Sequence, residues 1–213
     1  MAETELKENE VYIPIKRGMI ISLDELQIDG KYFTSNQYEA IREAKRQKGR
    51  IFSSAEDWAV LNYIQQHQGN NPELAKLHKS LISEIKRSRW TRTQIYNLKG
   101  DCPKVVNIYD LHPGIDIPTG FEVIDFPELP RRQGYIQEVD DRTGLPTKVG
   151  GDTPHPNYGG AFFNISPDLD VVAVIRTGLF GMNLDLCHAP SYTHPNLGLR
   201  LVRNTPELEV RVR

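Results

Sequence analysis

The residues with the most varied chemistry lie together near the C-terminal end of the sequence. Amide, carboxylate, imidazole, phenol and thioether side chains stand in the stretch 182–194, at Met182, Asn183, Asp185, His188, Tyr192 and His194. Polar, aromatic and adaptable groups of this kind are typical of a surface that recognises another molecule. With Cys187 in the same stretch, the donor types of a transition-metal site are present as well. The segment therefore supports two interpretations, a recognition surface and a metal cluster.

The metal interpretation has four candidate ligands, Asp185, Cys187, His188 and His194. Their spacing matches no helical metal motif such as His-Glu-x-x-His. His155-Pro-Asn and His194-Pro-Asn are typical of turns, because proline fixes φ and asparagine tolerates unusual backbone angles. We therefore expect turns at both places, with no bound metal and no cofactor.

The sequence contains none of the common catalytic signatures. It has no phosphate-binding or dinucleotide-binding glycine loop and no Gly-x-Ser-x-Gly elbow. A nucleophile and base pair of Cys187 and His188 is disfavoured, because neighbouring residues on a strand point to opposite faces. A disulfide between Cys187 and Cys102 stays open on spacing alone, and inert thiols are the default for both. We therefore expect a protein that is not an enzyme.

The charge balance argues against a nucleic-acid partner. The 213 residues include 26 Lys and Arg against 28 Asp and Glu, whereas nucleic-acid binders usually carry a basic excess. Cations do cluster between Lys76 and Arg92, with Trp90 and Tyr96 nearby as rings for base stacking. They largely occupy the helix face opposite a leucine stripe, so a solvated helix face is the preferred interpretation.

No stretch of the sequence suits a membrane. No apolar run approaches the roughly 18 residues that a membrane helix needs. The acidic start, Met1 to Glu10, lacks the apolar stretch of a secretory signal. We therefore expect no membrane insertion, and both the cytoplasm and a virion stay open as locations.

The elements that position these residues change character near Gly100. Of the 14 prolines and 16 glycines, 12 of each lie at or after Gly100, whereas helical periodicity is nearly confined to the first half. This split predicts an α+β fold, with helices in the first half and short antiparallel strands with long loops in the second.

Three helices are predicted from their start signals. Thr34 to Gln37 and Ser53 to Glu56 both fit the capping box, and the first helix is expected to end at Gly49 in a left-handed C-cap. Asn71-Pro72 begins the third helix, with proline at its first position. Apolar residues then recur at helical spacing, at Trp58, Leu61, Ile64, Leu74, Leu77, Leu81 and Ile85.

Strands are predicted at both ends and throughout the second half. Val11–Leu23 fits two short strands or one bent strand, and the alternating Leu208–Arg213 fits an edge strand. Val171–Ile175 fits a strand covered on both faces, and Asp140–Pro156 is expected to be a surface loop. The remaining predicted strands are Thr91–Leu98, Lys104–Tyr109, Gly120–Phe126, Tyr135–Val139, Gly160–Ile165, Val171–Arg176 and Leu197–Arg203.

Three motifs resemble a known family. The three motifs are the helix followed by Gly49-Arg-Ile-Phe-Ser-Ser-Ala-Glu-Asp-Trp58, the strand Val174-Ile-Arg-Thr-Gly178 and the strand Asn196-Leu-Gly-Leu-Arg-Leu-Val-Arg203. They are similar to motifs of the formylglycine-generating-enzyme branch of C-type lectin-like folds. The stretch Gly178–Arg200 also resembles the C-terminal segment of receptor-binding (variable) proteins of phages and archaeal viruses that diversity-generating retroelements modify. The resemblance implies a C-type lectin-like fold whose first and last strands pair, with an irregular binding segment before the last strand.

This resemblance leads to a prediction of organisation and function. We expect a polar tail over 1–10, a single C-type lectin-like domain over 11–203 in which 72–90 is a candidate helical insertion, and a C-terminal strand or tail over 204–213. The function expected is non-catalytic binding of a protein or glycan through Met182, Asn183, Asp185, His188, Tyr192 and His194, as in a viral receptor-binding protein.

Two alternatives stay open. The first is a structural component of a virion or tail assembly, with homo-oligomer contacts through the terminal segments. The second is a formylglycine-generating type of copper oxidase. That chemistry needs two close thiolates, and the C-terminal segment has only Cys187.

Overall fold

The computed structural model describes residues 6–15, 18–83, 88–96, 103–126, 129–151, 153–155, 160–165, 171–178 and 181–205. The helices are α1 (Gln37–Arg46), α2 (Ser54–His67) and α3 (Pro72–His78), with a 3₁₀ turn over Gln68–Asn70 and a π-helical turn over Lys79–Ser83. The strands are β1 (Glu10–Ile13), β2 (Met19–Ser22), β3 (Gln27–Ile28), β4 (Lys31–Tyr32), β5 (Ser88–Tyr96), β6 (Lys104–Leu111), β7 (Pro118–Asp125), β8 (Gly134–Val139), β9 (Pro146–Val149), β10 (Phe162–Ile165), β11 (Val171–Gly178), β12 (Gly181–His188), β13 (Leu197–Gly198) and β14 (Val202–Asn204). The predicted α+β class is confirmed.

The first helix begins and ends differently from its prediction. Asn36 caps α1 by accepting a hydrogen bond from the Glu39 backbone N–H, so the predicted box at Thr34 is wrong. Lys48, with φ 57°, takes the left-handed position expected of Gly49. A Cβ on Gly49 would lie 3.1 Å from the Val202 carbonyl oxygen. Close approach to the last strand therefore explains this glycine.

The second and third helices begin as predicted. Ser53 and Glu56 form the reciprocal capping box of α2, and the Asn71 side chain caps α3 with proline at its first turn. The predicted apolar stripe is buried wherever the structure describes it, at Trp58, Leu61, Ile64, Leu74, Leu77 and Leu81. Ile85 lies outside the described residues.

A three-stranded antiparallel sheet joins the two ends of the described chain, in the order β1-β2-β14. Ile21 of β2 faces Val202 of β14, so the apolar stretch Val11–Leu23 pairs with the last described strand through β2, whereas β1 pairs with β2. Arg50 forms a further bridge to Val202. Residues 1–5 and 206–213 lie outside the described residues, and so does the predicted edge strand at Leu208–Arg213.

The larger sheet has the order β7-β6-β5-β11-β12-β10-β8-β9, and β13 pairs with β5. Its pairs are antiparallel except β10 with β12 and β13 with β5. Two of its strands contradict the sequence predictions. β9 lies inside the predicted surface loop Asp140–Pro156, and β12 replaces the irregular segment that the resemblance implied.

The two faces of this sheet pack against different elements. One face packs with α2, α3 and the three-stranded sheet, and the other packs with α1. Val171, Val172, Ala173 and Val174 of β11 are all buried, which confirms the prediction of a strand covered on both faces. β12 is next to β11, so it lies deep in the sheet rather than at an edge.

The basic segment is the predicted solvated helix face at its start, where Lys76 and Lys79 are exposed, but not at its end. Arg89 and Arg92 lie on β5, and their side chains are 2% and 7% exposed. Each pairs with an acidic residue in the first turn of α2: Arg89 with Asp57 and Arg92 with Glu56. The predicted helical insertion over 72–90 is therefore wrong at its end, because residues 88–90 belong to β5.

None of the helices in the described residues combines the length and hydropathy needed to cross a bilayer.

Candidate functional site

The candidate site begins on β12, where apolar and polar side chains alternate. Leu184 and Leu186 are fully buried in the core on the α2 side. Because successive residues of a strand point to opposite faces, Asn183 and Asp185 face the α1 side. Asp185 stands opposite Val174 of β11, which stands opposite Trp90 of β5. The carboxylate residue is 2% exposed.

A register shift changes the alternation at the end of β12. Between the Val174–Asp185 and Val172–His188 pairs, β12 has two residues against one on β11. Such a bulge re-aims the side chains of the bulged strand. Asp185, Cys187 and His188 each offer a ligand atom there, and the three atoms lie within 4.8 Å of one another. The expectation that Cys187 and His188 point apart is therefore wrong, since it assumed a regular strand.

Three rings form a stack beside this cluster. The rings of His188 and Tyr192 are 4.7 Å apart between centroids and inclined by 15°. Those of Tyr192 and His194 are 6.2 Å apart and inclined by 16°. Trp90 meets His188 edge-on at 6.5 Å. We call His188, Tyr192 and His194 the ring platform; Tyr192 is 40% exposed.

The loop that carries the ring platform is held by backbone hydrogen bonds. The Gln37 N–H at the start of α1 donates to the Pro190 carbonyl at 3.1 Å, and the Tyr192 N–H donates to Ala189 at 3.0 Å. The Leu197 N–H donates to the His194 carbonyl at 2.9 Å, which confirms the predicted turn. The loop is thus tied to a helix at one end and to β13 at the other.

A buried polar side chain, Gln37, joins the start of α1 to β5. The Gln37 amide donates to the Thr91 carbonyl at 2.7 Å and accepts from the Gln94 amide at 2.5 Å. The Trp90 indole donates to the Ser35 carbonyl at 2.7 Å. These bonds fasten the start of α1 to β5. Sequence reasoning missed Gln37 as a support, because its partners lie more than fifty positions away.

The predicted site residues divide into two groups. Tyr192 and His194 are exposed and His188 is half-buried, so all three can meet a ligand. Asn183 is half-buried, whereas Asp185 is buried and cannot reach a large partner directly. The structure places Met182 on β12 as well, and its side chain lies outside the described part.

An open groove at the β9 edge of the larger sheet is a feature that sequence reasoning missed. Its volume is about 400 Å³, and it is lined by Pro130, Arg131, Arg132, Thr147, Lys148 and Val149. Arg132 donates to the Val149 carbonyl at 3.0 Å, and Lys148 lies 3.4 Å from Glu138. Two of its three cations thus have partners within the same hairpin. The ring platform is the stronger candidate, because its groups converge and face outward.

Comparison with protein-family models, with curated proteins and with solved structures finds no match to this chain. The resemblance to C-type lectin-like proteins therefore stays a prediction.

Proposed function

We propose that the chain is a non-catalytic recognition module that binds a protein or a glycan through the ring platform. The observation that carries this proposal is the stack of His188, Tyr192 and His194, with Tyr192 exposed beside a strand deep in the sheet. Rigid elements that carry an exposed loop are the usual setting of binding residues.

The stacked rings suit recognition for two physical reasons. Aromatic rings offer a large contact area and lose few rotamers on binding, and stacking orders them before a ligand arrives. Their edges also carry hydrogen-bonding groups. The His194 Nδ1 accepts from the Asn196 N–H at 3.1 Å, so in the neutral ring the proton is on Nε2 and can be donated to a ligand.

The resemblance to viral receptor-binding proteins adds support of a different kind. In that family the binding segment precedes the last strand, and here the platform precedes β13 and β14. The pairing of β2 with β14 agrees with the same fold. On this basis we infer a receptor-binding role. The ligand would be a protein or glycan on the surface to which the chain binds.

A second candidate function is a structural component of a larger assembly. Ile115, Ile117, Phe121 and Val123 of the β6–β7 hairpin are about half exposed, and β7 is an edge strand. Exposed apolar edges commonly pair with another chain. The two functions are compatible, because receptor-binding modules are often carried on assemblies. A copper oxidase is not proposed: within the described residues the site offers a single thiol, Cys187.

Replacing Tyr192 with alanine is expected to abolish most of the binding. The purified full chain is applied to arrays of glycans and of cell-surface proteins, and the affinity for each retained ligand is then measured by calorimetry. Removing a central ring at a binding surface commonly costs 2 kcal/mol or more, which corresponds to a loss of about 30-fold in affinity.

Tyr109→Ala is the matched control for Tyr192→Ala. Tyr109 is 45% exposed and bonds Glu122, which faces Asn107 on the side of the sheet away from α1. This variant is expected to keep the affinity of the unmodified chain. Binding to nothing on either array, or a Tyr192→Ala variant with unchanged affinity, would contradict the proposal.

A further inference from the structure

We propose that Asp185, Cys187 and His188 together bind one zinc ion. The three residues supply a carboxylate, a thiolate and an imidazole, and their ligand atoms already lie within 4.8 Å of one another. All three are ordinary zinc ligands. This site does not depend on the proposed recognition function, since an ion would bind even if the ring platform met no ligand.

The spacing is close to that of a zinc site. Tetrahedral bonds of 2.0–2.3 Å place two ligand atoms of this set about 3.3–3.6 Å apart. Starting from at most 4.8 Å, the atoms need to approach by at most about 1.5 Å, which rotations of the three side chains can supply.

Paired strands hold most of the backbone that carries the three residues. Asp185 pairs with β10 and with β11, and His188 pairs with β11. Cys187 lies in the bulge between these two positions. The bulge opposite Ala173 is what puts Cys187 and His188 on one side. A site built on paired strands is better positioned than one built on a free loop.

Burial changes along the site from inside to outside. Asp185 is 2% exposed, and a buried carboxylate is favoured by a nearby cation. Cys187 and His188 are half-buried, so an ion can enter from the solvent side. Three protein ligands leave a fourth position for water or for a group of a ligand, as in zinc sites that remain open.

The donor set selects the class of metal. Calcium and magnesium require several oxygen ligands, and one carboxylate does not meet that requirement. Copper(I) prefers more sulfur than one thiolate. A single thiolate with an imidazole and a carboxylate suits zinc(II), or cobalt(II) as its spectroscopic substitute.

The site and the ring platform share His188. A metal bond to this imidazole would fix the ring on which Tyr192 stacks. His194 belongs to the platform only, because it is not among the three residues whose ligand atoms cluster. A variant of His194 therefore changes the ring platform without removing a proposed zinc ligand.

Cobalt titration of the full chain tests the proposal. The reduced protein, freed of metal by a chelator, is titrated with Co²⁺ and followed by absorption spectroscopy. We expect a thiolate-to-cobalt charge-transfer band that saturates at one equivalent and disappears on addition of Zn²⁺. Cys187→Ser is expected to remove the band, and Asp185→Asn to weaken cobalt binding at least ten-fold.

Two control variants test whether the cobalt band depends on the three proposed ligands alone. Cys102→Ser and His194→Ala are expected to leave the cobalt spectrum and its one-equivalent end point unchanged. Loss of the band in Cys102→Ser would overturn the assignment. So would an unmodified chain that shows no band at a large excess of Co²⁺.

A second measurement needs no variant and so does not depend on the folding of one. The rate at which Cys187 reacts with an alkylating reagent is measured by mass spectrometry of its peptide, with and without Zn²⁺. We expect zinc to slow the reaction at Cys187 at least ten-fold. An unchanged rate at saturating zinc would overturn the proposal.

Discussion

Replacing Gly144 with alanine is expected to destabilise the protein by more than about 4 kcal/mol, a size reserved for a few mechanisms such as overpacking and backbone strain. Gly144 has φ +71°, and a Cβ there would lie 2.6 Å from the Ala55 Cα and closer still to two other backbone atoms of α2. These atoms belong to the first turn of α2, so they cannot move without disturbing its capping box. The Gly144 carbonyl also accepts a hydrogen bond from the Trp58 indole at 2.8 Å.

Gly114→Ala separates the two causes of this loss. Gly114 has φ +80° but no heavy atom within 4 Å of its built Cβ, so only backbone strain of about 1–2 kcal/mol applies there. Urea denaturation followed by circular dichroism measures both variants. Equal losses for Gly144→Ala and Gly114→Ala would show that the packing of the turn against α2 is wrong.

Replacing Asp57 with asparagine is expected to cost about 3–5 kcal/mol, the usual result of leaving one member of a buried ion pair without its partner. The Asp57 and Arg89 side chains are 0% and 2% exposed. Two hydrogen bonds join them, at 2.6 and 2.9 Å. Arg89 lies beside a second buried cation, Arg200, which makes an unpaired Arg89 more costly.

The pKa of Arg200 shows that a positive charge is unfavourable in this buried region. Burial, together with the nearby Arg89, lowers the pKa of the Arg200 guanidinium to about 10. Arg200 still donates to the Ser22 and Leu23 carbonyls and to the Ser80 hydroxyl. Arg200 thus ties the segment between β13 and β14 to β2.

The control for Asp57→Asn is the same kind of change in an exposed pair. Glu138 and Lys148 are about two-thirds exposed and 3.4 Å apart, so Glu138→Gln is expected to cost less than about 1 kcal/mol. Both variants are measured by urea denaturation at pH 7. A loss for Asp57→Asn no larger than that for Glu138→Gln would contradict the buried pair.

Local signals in the sequence were sufficient for much of the fold. The capping box at Ser53 and the proline start of α3 depend on residues three or four positions apart, and both are confirmed. The apolar run of β11 needed only its composition. The left-handed residue before Gly49 was missed, because the glycine is required by Val202, far away in the sequence.

The buried charges could not be predicted from local patterns. Arg89 and Asp57 are 32 positions apart. Arg92 lies in the predicted strand Thr91–Leu98, but no local signal indicates that Arg89 belongs to the same strand. A basic segment on a solvated helix face and one on a buried strand can contain the same types of residue. Only the topology, which places β5 beside the start of α2, distinguishes them.

The candidate site was predicted in its residues but not in its form. Asn183, Leu184, Asp185 and Leu186 alternate as a half-buried strand does, yet the resemblance implied an irregular segment over them. The bulge that gathers Asp185, Cys187 and His188 follows from pairing with β11, and a single strand's sequence does not show it. The turn at His194 was visible, because Pro195 and Asn196 are local signals.

The most direct test of the recognition proposal is to locate the bound ligand by NMR of the imidazole rings. A ligand retained on the arrays is titrated into the full chain, and the ring signals of all six histidines are followed: His67, His78, His112, His155, His188 and His194. We predict that the signals of His188 and His194 shift in proportion to occupancy while the other four stay in place. Shifts confined to histidines outside the ring platform, or none at saturation, would contradict the account.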